Sequence, residues 1–117
     1  SEGVAKRGLP ITWMARVLAE NPARIFGIYP RKGVIQPGSD ADLLIIDPSV
    51  EKTITSADHI SNAGYTPYEG WTQKGEPWMT LVRGKVVMKE GELVQEPGYG
   101  EFISAGSPVQ PVDGSLR

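Results

Sequence analysis

The chain has 117 residues, which is enough for one small domain that would bury roughly two-thirds of its unfolded surface. Its 12 Lys and Arg face 14 Asp and Glu, a net charge of −2 without a long run of either sign, so we expect neither nucleic acid nor an anionic membrane as a partner. The absence of cysteine excludes disulfides and thiolate zinc sites, and no apolar run is long enough to span a membrane, so the sequence predicts a cytoplasmic location.

The first 30 residues carry a helical pattern. Apolar residues recur at every third or fourth position over residues 11–18, which predicts an amphipathic helix capped by Thr12. A second, very short helix is expected next. Asn21 suits its N-cap, Pro22 its first helical position and Gly27 its left-handed stop.

The pattern then changes to short strands between turns. Residues 34–35 form a candidate strand between two turn signals. The apolar run 43–46 is bracketed by Asp42 and Asp47 and closed by Pro48, which predicts a strand that is covered on both faces. Residues 52–55 form a weaker strand, and residues 56–77 are expected to be a loop that packs on a surface through its aromatic side chains.

A meander of three strands is predicted over residues 79–82, 85–88 and 92–95. Arg83-Gly84 and Glu90-Gly91 lie where tight hairpin turns need positive φ. Residues 104–117 are rich in Pro, Gly and Ser and predict a disordered tail. The predicted fold class is therefore α+β, with short N-terminal helices followed by a small, mainly antiparallel β-sandwich portion.

The residues that could carry chemistry are few. The single histidine, His59, cannot by itself supply the three protein ligands of a hydrolytic zinc site, and we interpret it as a surface histidine. His59 follows Asp58 and lies near Ser56 and Ser61, but no nucleophile-elbow pattern accompanies them.

Asp40 and Asp42 could suggest a site for Ca²⁺ or Mg²⁺, but the loop lacks further oxygen ligands at alternate positions. We expect Asp40 to bond backbone amides in a turn and Asp42 to begin a strand. The Gly98-Tyr99-Gly100 segment is no phosphate loop, because neither a lysine nor a helix start follows it. The aromatic residues of the long loop region are expected to pack on another domain or subunit: Tyr65, Tyr68, Trp71 and Trp78.

Several segments form a recognisable series along the chain: Asn21-Pro22-Ala23-Arg24-Ile25-Phe26-Gly27, Pro30-Arg31-Lys32-Gly33, Pro37-Gly38-Ser39-Asp40-Ala41-Asp42-Leu43, Tyr65-Thr66-Pro67-Tyr68-Glu69-Gly70-Trp71 and Pro97-Gly98-Tyr99-Gly100-Glu101-Phe102. In this order they resemble the dihydropyrimidinases and hydantoinases of the amidohydrolase superfamily. The resemblance extends over residues 1–103.

The resemblance implies a C-terminal fragment of a metal-dependent hydrolase of cyclic amides. Residues 1–30 would be terminal helices leading from a (β/α)₈ barrel, residues 31–103 the C-terminal part of a composite β-sandwich, and residues 104–117 a tail. Family members bind two divalent metals, which we expect to be zinc, through an HxH pair, a carboxylated lysine, two further histidines and an aspartate in the barrel. None of these motifs occurs here, so no catalytic, substrate-binding or metal residue is predicted in this chain.

The expected partners are the upstream barrel of the same protein and further copies of it in a homo-oligomer. The Thr66-Pro67-Tyr68-Glu69-Gly70 segment also resembles dihydroorotases, and allantoinases carry a related one. Another alternative is a catalytically silent amidohydrolase-like assembly module. The upstream sequence would discriminate, because intact metal ligands imply an enzyme and their loss implies a scaffold.

Overall fold

The computed structural model describes residues 1–111, in which helices precede a single antiparallel sheet. A π-helical turn, Glu2–Lys6, comes first. Helix α1, Ile11–Ala15, continues through a second π-helical turn, Arg16–Glu20, into helix α2, Asn21–Ile25. Four strands follow: β1 Leu43–Thr53, β2 Thr72–Val82, β3 Lys85–Lys89 and β4 Glu92–Leu93, with a 3₁₀ turn at Ser56–Asp58 between β1 and β2.

The helical segment runs through residues 11–25, where the sequence predicted two separate helices. Asn21 has helical φ and ψ and its N–H donates to the carbonyl of Arg16, so its prediction as an N-cap was wrong. Pro22 has no N–H for a regular helical bond, and the wider π-helical turn directly before it carries the helix across. Thr12 does not cap either, since α1 begins after Pro10 without a side-chain cap.

The sheet has the order β1-β2-β3-β4 with antiparallel neighbours throughout. The two predicted strands 43–46 and 52–55 are one long strand, because an irregularity in the register between Asp47 and Glu51 accommodates Pro48. The predicted loop 56–77 was too long, since its last six residues belong to β2. Residues 34–35, predicted as a strand, lie in an irregular segment outside the sheet.

Both predicted hairpin turns are confirmed. Arg83 and Gly84 have φ of 45° and 79°, and Glu90 and Gly91 have φ of 52° and 84°. Two consecutive residues with positive φ match the right-handed twist of the flanking strands, which explains why two-residue turns join β2 to β3 and β3 to β4.

Little of the described chain is fully enclosed. Within residues 1–111, Ala23 is the one apolar residue that is buried, 3% exposed, and Thr66 is the buried polar one. The prediction that the 43–46 run is covered on both faces was wrong for this chain, because Leu44 is 56% exposed and Ile45 41%. Residues 104–111 of the predicted disordered tail have no regular secondary structure but make backbone bonds to Arg24 of α2 and to Gly27 just after it, and residues 112–117 lie outside the described residues.

Candidate functional site

An apolar groove lies between the helical segment and β1. Its volume is about 860 Å³. Its apolar walls come from both elements and the turn between them, including Leu18, Phe26, Val34, Leu44 and Ile46. Phe26 and Leu18 remain 66% and 70% exposed, so the groove is an open surface and does not enclose a ligand-sized cavity.

A cluster of opposite charges forms the polar end of this groove. Arg31 Nε donates to Asp40 Oδ2 at 2.9 Å, and Lys32 Nζ lies 2.9 Å from the same oxygen. Lys32 also donates to Asp42. The expectation that Asp40 bonds backbone amides was wrong, because its carboxylate is taken by two cations. Two cations and two anions neutralise each other, so the cluster offers little net charge to a metal or an anion.

Asp42 links this cluster to the sheet. It directly precedes β1, as predicted, and its Oδ1 accepts the backbone N–H of Arg83 at 2.7 Å. The neighbouring Gly84 N–H donates to the Ala41 carbonyl at 2.9 Å. The turn between β2 and β3 is therefore held against the chain that enters β1.

The charge pairs shift the pKa values of the cluster. The bonds from Lys32 and then Arg31 lower the pKa of Asp40. Partial burial raises the pKa of Asp42, but the bonds from Lys32 and the Arg83 N–H outweigh it, so the pKa is lowered. Burial opposes the charge of Lys32 as well, yet the bonds from Asp42 and Asp40 raise its pKa.

These shifts predict how stability depends on pH. Lowered carboxylate pKa values stabilise the fold above the ordinary Asp pKa of about 4, and this contribution is lost as pH falls through the lowered values. The raised pKa of Lys32 contributes below its ordinary value of about 10.4 and is lost as pH rises through the raised one.

Asp42→Asn is therefore expected to lower the free energy of unfolding at pH 7 by about 1 kcal/mol and to flatten its decline below about pH 4. Urea unfolding between pH 3 and 7 measures both effects. Glu51→Gln is the control, because it removes an exposed carboxylate on β1 outside the cluster. A steep acid decline in Asp42→Asn, as large as in the control, would contradict the prediction.

The sequence candidates for catalysis are scattered. His59 is exposed and ends the 3₁₀ turn. Asp58 accepts the Thr55 hydroxyl at 3.1 Å, and the Ser56 N–H donates to Glu69 Oε2 at 2.8 Å. Within residues 1–111, no hydrogen bond joins the His59 side chain to Ser56 or Ser61. The structure therefore does not bring these residues together as a nucleophilic triad.

The donor set of the described residues does not fit a metal centre. Over residues 1–111 no three His, Asp or Glu side chains converge in a way that could hold an ion. The one close pair of aspartates is already bonded to Arg31 and Lys32. Likewise, no helix in the part that the structure describes is long and apolar enough to cross a bilayer.

The aromatic residues form an exposed surface next to the 3₁₀ turn. Tyr68 and Trp71 meet edge to face with ring centroids 5.5 Å apart, and Tyr65 is exposed beside them. Trp78 lies apart, on β2, where its indole N–H donates to Glu90. The predicted packing of these rings on another domain or subunit stays a prediction.

Sequence reasoning missed Arg31, Lys32 and Arg83 as organising residues. The run from Pro30 to Gly33 was interpreted as a turn signal and as part of the family resemblance, without a role for its charges. Two adjacent cations, followed nine and ten residues later by Asp40 and Asp42, were the available signal. The partner of Arg83 was not visible, because Asp42 lies 41 residues away in sequence.

The model of the amidohydrolase family matches residues 2–87. The chain belongs to the amidohydrolase family. This amidohydrolase segment is 41% identical over 104 residues to an L-hydantoinase of Paenarthrobacter aurescens, covering 89% of this chain and 23% of that enzyme. It is also 44% identical over 102 residues to a dihydroorotase of Methanothermobacter thermautotrophicus, covering 87% of this chain and 23% of that protein.

The fold of this amidohydrolase segment is shared as well. The crystal structure of dihydropyrimidinase from Brevibacillus agri NCHU1002 matches with a TM-score of 0.89 at 33% identity, over 95% of this chain and 24% of that one. The chain thus spans about a quarter of the length of the relatives it matches. The resemblance to hydantoinases and dihydropyrimidinases is confirmed.

Proposed function

We propose that this chain is the C-terminal, non-catalytic portion of a metal-dependent hydrolase of cyclic amides of the hydantoin and dihydropyrimidine type. In the longer protein it supports the fold and the oligomer, and a barrel outside this segment holds the two divalent metals, zinc by our expectation. The observation that carries the proposal is the match along nearly the whole segment to relatives named hydantoinase and dihydropyrimidinase, at about a quarter of their length.

The surfaces of the segment support a structural role. The groove between the helical segment and β1 is lined by apolar side chains, and several of them are exposed to water in this chain. Such a surface is stabilised by covering it, at about 25 cal/mol per Å² of apolar area removed from water. We infer that the helical segment packs on the barrel and that β1 belongs to a β-sandwich completed by strands from elsewhere in the protein.

A chimera tests this role. The matching quarter of the L-hydantoinase of Paenarthrobacter aurescens is replaced by residues 1–103 of this chain, and a second variant of that enzyme simply lacks the quarter. The chimera is expected to fold, bind zinc and hydrolyse hydantoins, and the truncated enzyme is expected to aggregate. A truncated enzyme as active as the full one would refute the proposed support of the fold.

The segment by itself is expected to neither bind zinc tightly nor hydrolyse cyclic amides. Zinc sites of hydrolases take three or more protein ligands, and the one histidine here lies on an exposed turn. Elemental analysis after stripping and reloading, together with hydantoin and dihydrouracil assays, measures both properties. Stoichiometric zinc with measurable hydrolysis would contradict the expectation, and the active chimera is the positive control.

Dihydroorotase is the second candidate for the longer protein, because the archaeal dihydroorotase reaches 44% identity over 102 residues. Substrate choice belongs to the part of the protein that holds the metals. The sequence upstream of this segment decides between the two, and it also tests whether the metal ligands are intact or whether the protein is an assembly module without catalysis.

A further inference from the structure

Residues 96–111 run from the sheet to the end of the helical segment and contact both. The first contact is made by Arg83, in the turn between β2 and β3. Its Nη2 donates to the Tyr99 carbonyl at 2.6 Å and lies 3.3 Å from Glu101 Oε1. The guanidinium also lies over the Tyr99 ring, with Cζ 4.4 Å from the centroid, and Lys85 Nζ is 4.9 Å from the same centroid. Hydrogen bonds from a charged donor combine here with cation–π contacts.

The second contact is made at the end of α2. The Gly106 N–H donates to the Gly27 carbonyl at 2.8 Å, and the Val109 N–H donates to the Arg24 carbonyl at 2.9 Å. The Arg24 carbonyl also accepts the Gly27 N–H at 3.2 Å, so the segment of residues 106–109 adds a second bond there and one more to Gly27, just after the helix. The approach is close, because a Cβ on Gly106 would lie 3.0 Å from the Gly27 oxygen.

The two contacts join parts of the chain that otherwise touch sparingly. In the described residues, helices pack chiefly on helices and strands on strands. The covalent connection through residues 26–42 also links them, and ahead of the helices the Ser1 hydroxyl accepts the Lys74 N–H of β2 at 3.2 Å. We propose that residues 96–111 form a strap that fixes the helical segment relative to the sheet through these two anchors, one at Arg83 and one at Gly27, and that opening either anchor loosens the other.

The short distance along the chain couples the anchors. Glu101 at the first anchor and Gly106 at the second are separated by a few residues, so an attached first anchor keeps Gly106 at a high effective concentration near Gly27. When the first anchor opens, the second has to re-form against the freedom of a longer chain. This device is independent of the proposed enzymatic role, and the 117-residue chain is sufficient to test it.

Arg83→Gln tests the coupling from the sheet side, with amide hydrogen exchange by NMR in sucrose, which favours the compact state. Removing the charged donor is expected to speed exchange at Gly106 and Val109 about fourfold, because the free chain that leads to them becomes longer. Arg7→Gln is the control, because Arg7 forms an ion pair with Glu2, at 3.5 Å, and its loss should leave these amides unchanged. Unchanged exchange in Arg83→Gln would overturn the strap.

Gly106→Val tests the same coupling from the helix side. Its side chain collides with the Gly27 carbonyl, whereas the control Gly100→Val gains a Cβ with no atom within 4 Å. The expected result is loss of the Tyr99 ring-current shift on the side-chain protons of Arg83 and Lys85 in Gly106→Val alone. A retained shift would overturn the strap. A second result would also overturn the strap: amides of β2 and β3 that exchange as fast as those of residues 96–111 in the unmodified chain. The sheet would then not be ordered enough to hold the first anchor.

Discussion

Gly33→Ala is expected to destabilise the chain by about 2–4 kcal/mol, the largest effect we predict for one added methyl group. A Cβ at this position would lie 2.6 Å from the Ala23 Cβ and 2.9 Å from the Ala19 carbonyl oxygen. Real side chains do not approach so closely, so the helix and the turn would have to separate at the residue that is best buried in the described chain. The backbone adds strain, because φ is +84°.

A matched substitution separates the collision from the backbone strain. Gly38 has φ of +91° and no atom within 4 Å of a built Cβ, so Gly38→Ala carries the conformational cost of about 1 kcal/mol without a clash. Urea unfolding in sucrose, followed by far-ultraviolet circular dichroism, compares the two. Equal losses in both variants would show that the contact between Gly33 and Ala23 does not hold the turn on the helix.

The features that sequence predicted well are local ones. Arg83-Gly84 and Glu90-Gly91 determine their own turns, because positive φ at two successive residues is a property of the dipeptide and the strands beside it. The apolar run 43–46 was also found as a strand from local sequence, because four successive apolar residues between acidic ones are a signal in themselves. Each of these features depends on only a few neighbouring residues.

The wrong predictions concern places where a contact between distant residues, or a local distortion of the backbone, determines the structure. Pro22 predicted a helix start, but a π-helical turn allows the helix to continue into it. Pro48 predicted the end of a strand, and an irregular register carries β1 past it. The ion pairs of Asp40 and Asp42 depend on the path of residues 30–42, which composition alone does not specify.

Burial was the least predictable property of β1. Four successive apolar residues indicate cover on both faces, and in this chain Leu44 and Ile45 remain substantially exposed. For the candidate site, the sequence offers one histidine and no cysteine, and the absence of catalytic and metal residues from this chain stays a prediction. The groove was not visible, because its walls come from the helical segment, the turn that follows it and β1, and the sequence pattern does not specify how these three lie against each other.

The exposed apolar surface leads to a prediction for the isolated chain: it associates with itself or is only marginally stable. Within the described residues β1 is an edge strand, so one side of its backbone has no strand partner, and Leu44 and Ile45 add apolar side chains there. Leu18 and Phe26 extend the apolar surface across the groove. A second copy can cover these groups by strand pairing or by exchange of helices.

Sedimentation velocity over a range of concentrations, together with thermal melts, measures this association. Ile45→Lys is expected to reduce it several-fold, because a charge on an edge strand opposes pairing with another strand. Ile60→Lys is the control, since Ile60 is 94% exposed in the loop after the 3₁₀ turn and away from β1. If the unmodified chain sediments as a monomer at every concentration and melts cooperatively at high temperature, the segment closes its own core, and the inferred cover from the rest of the protein is not needed for its stability.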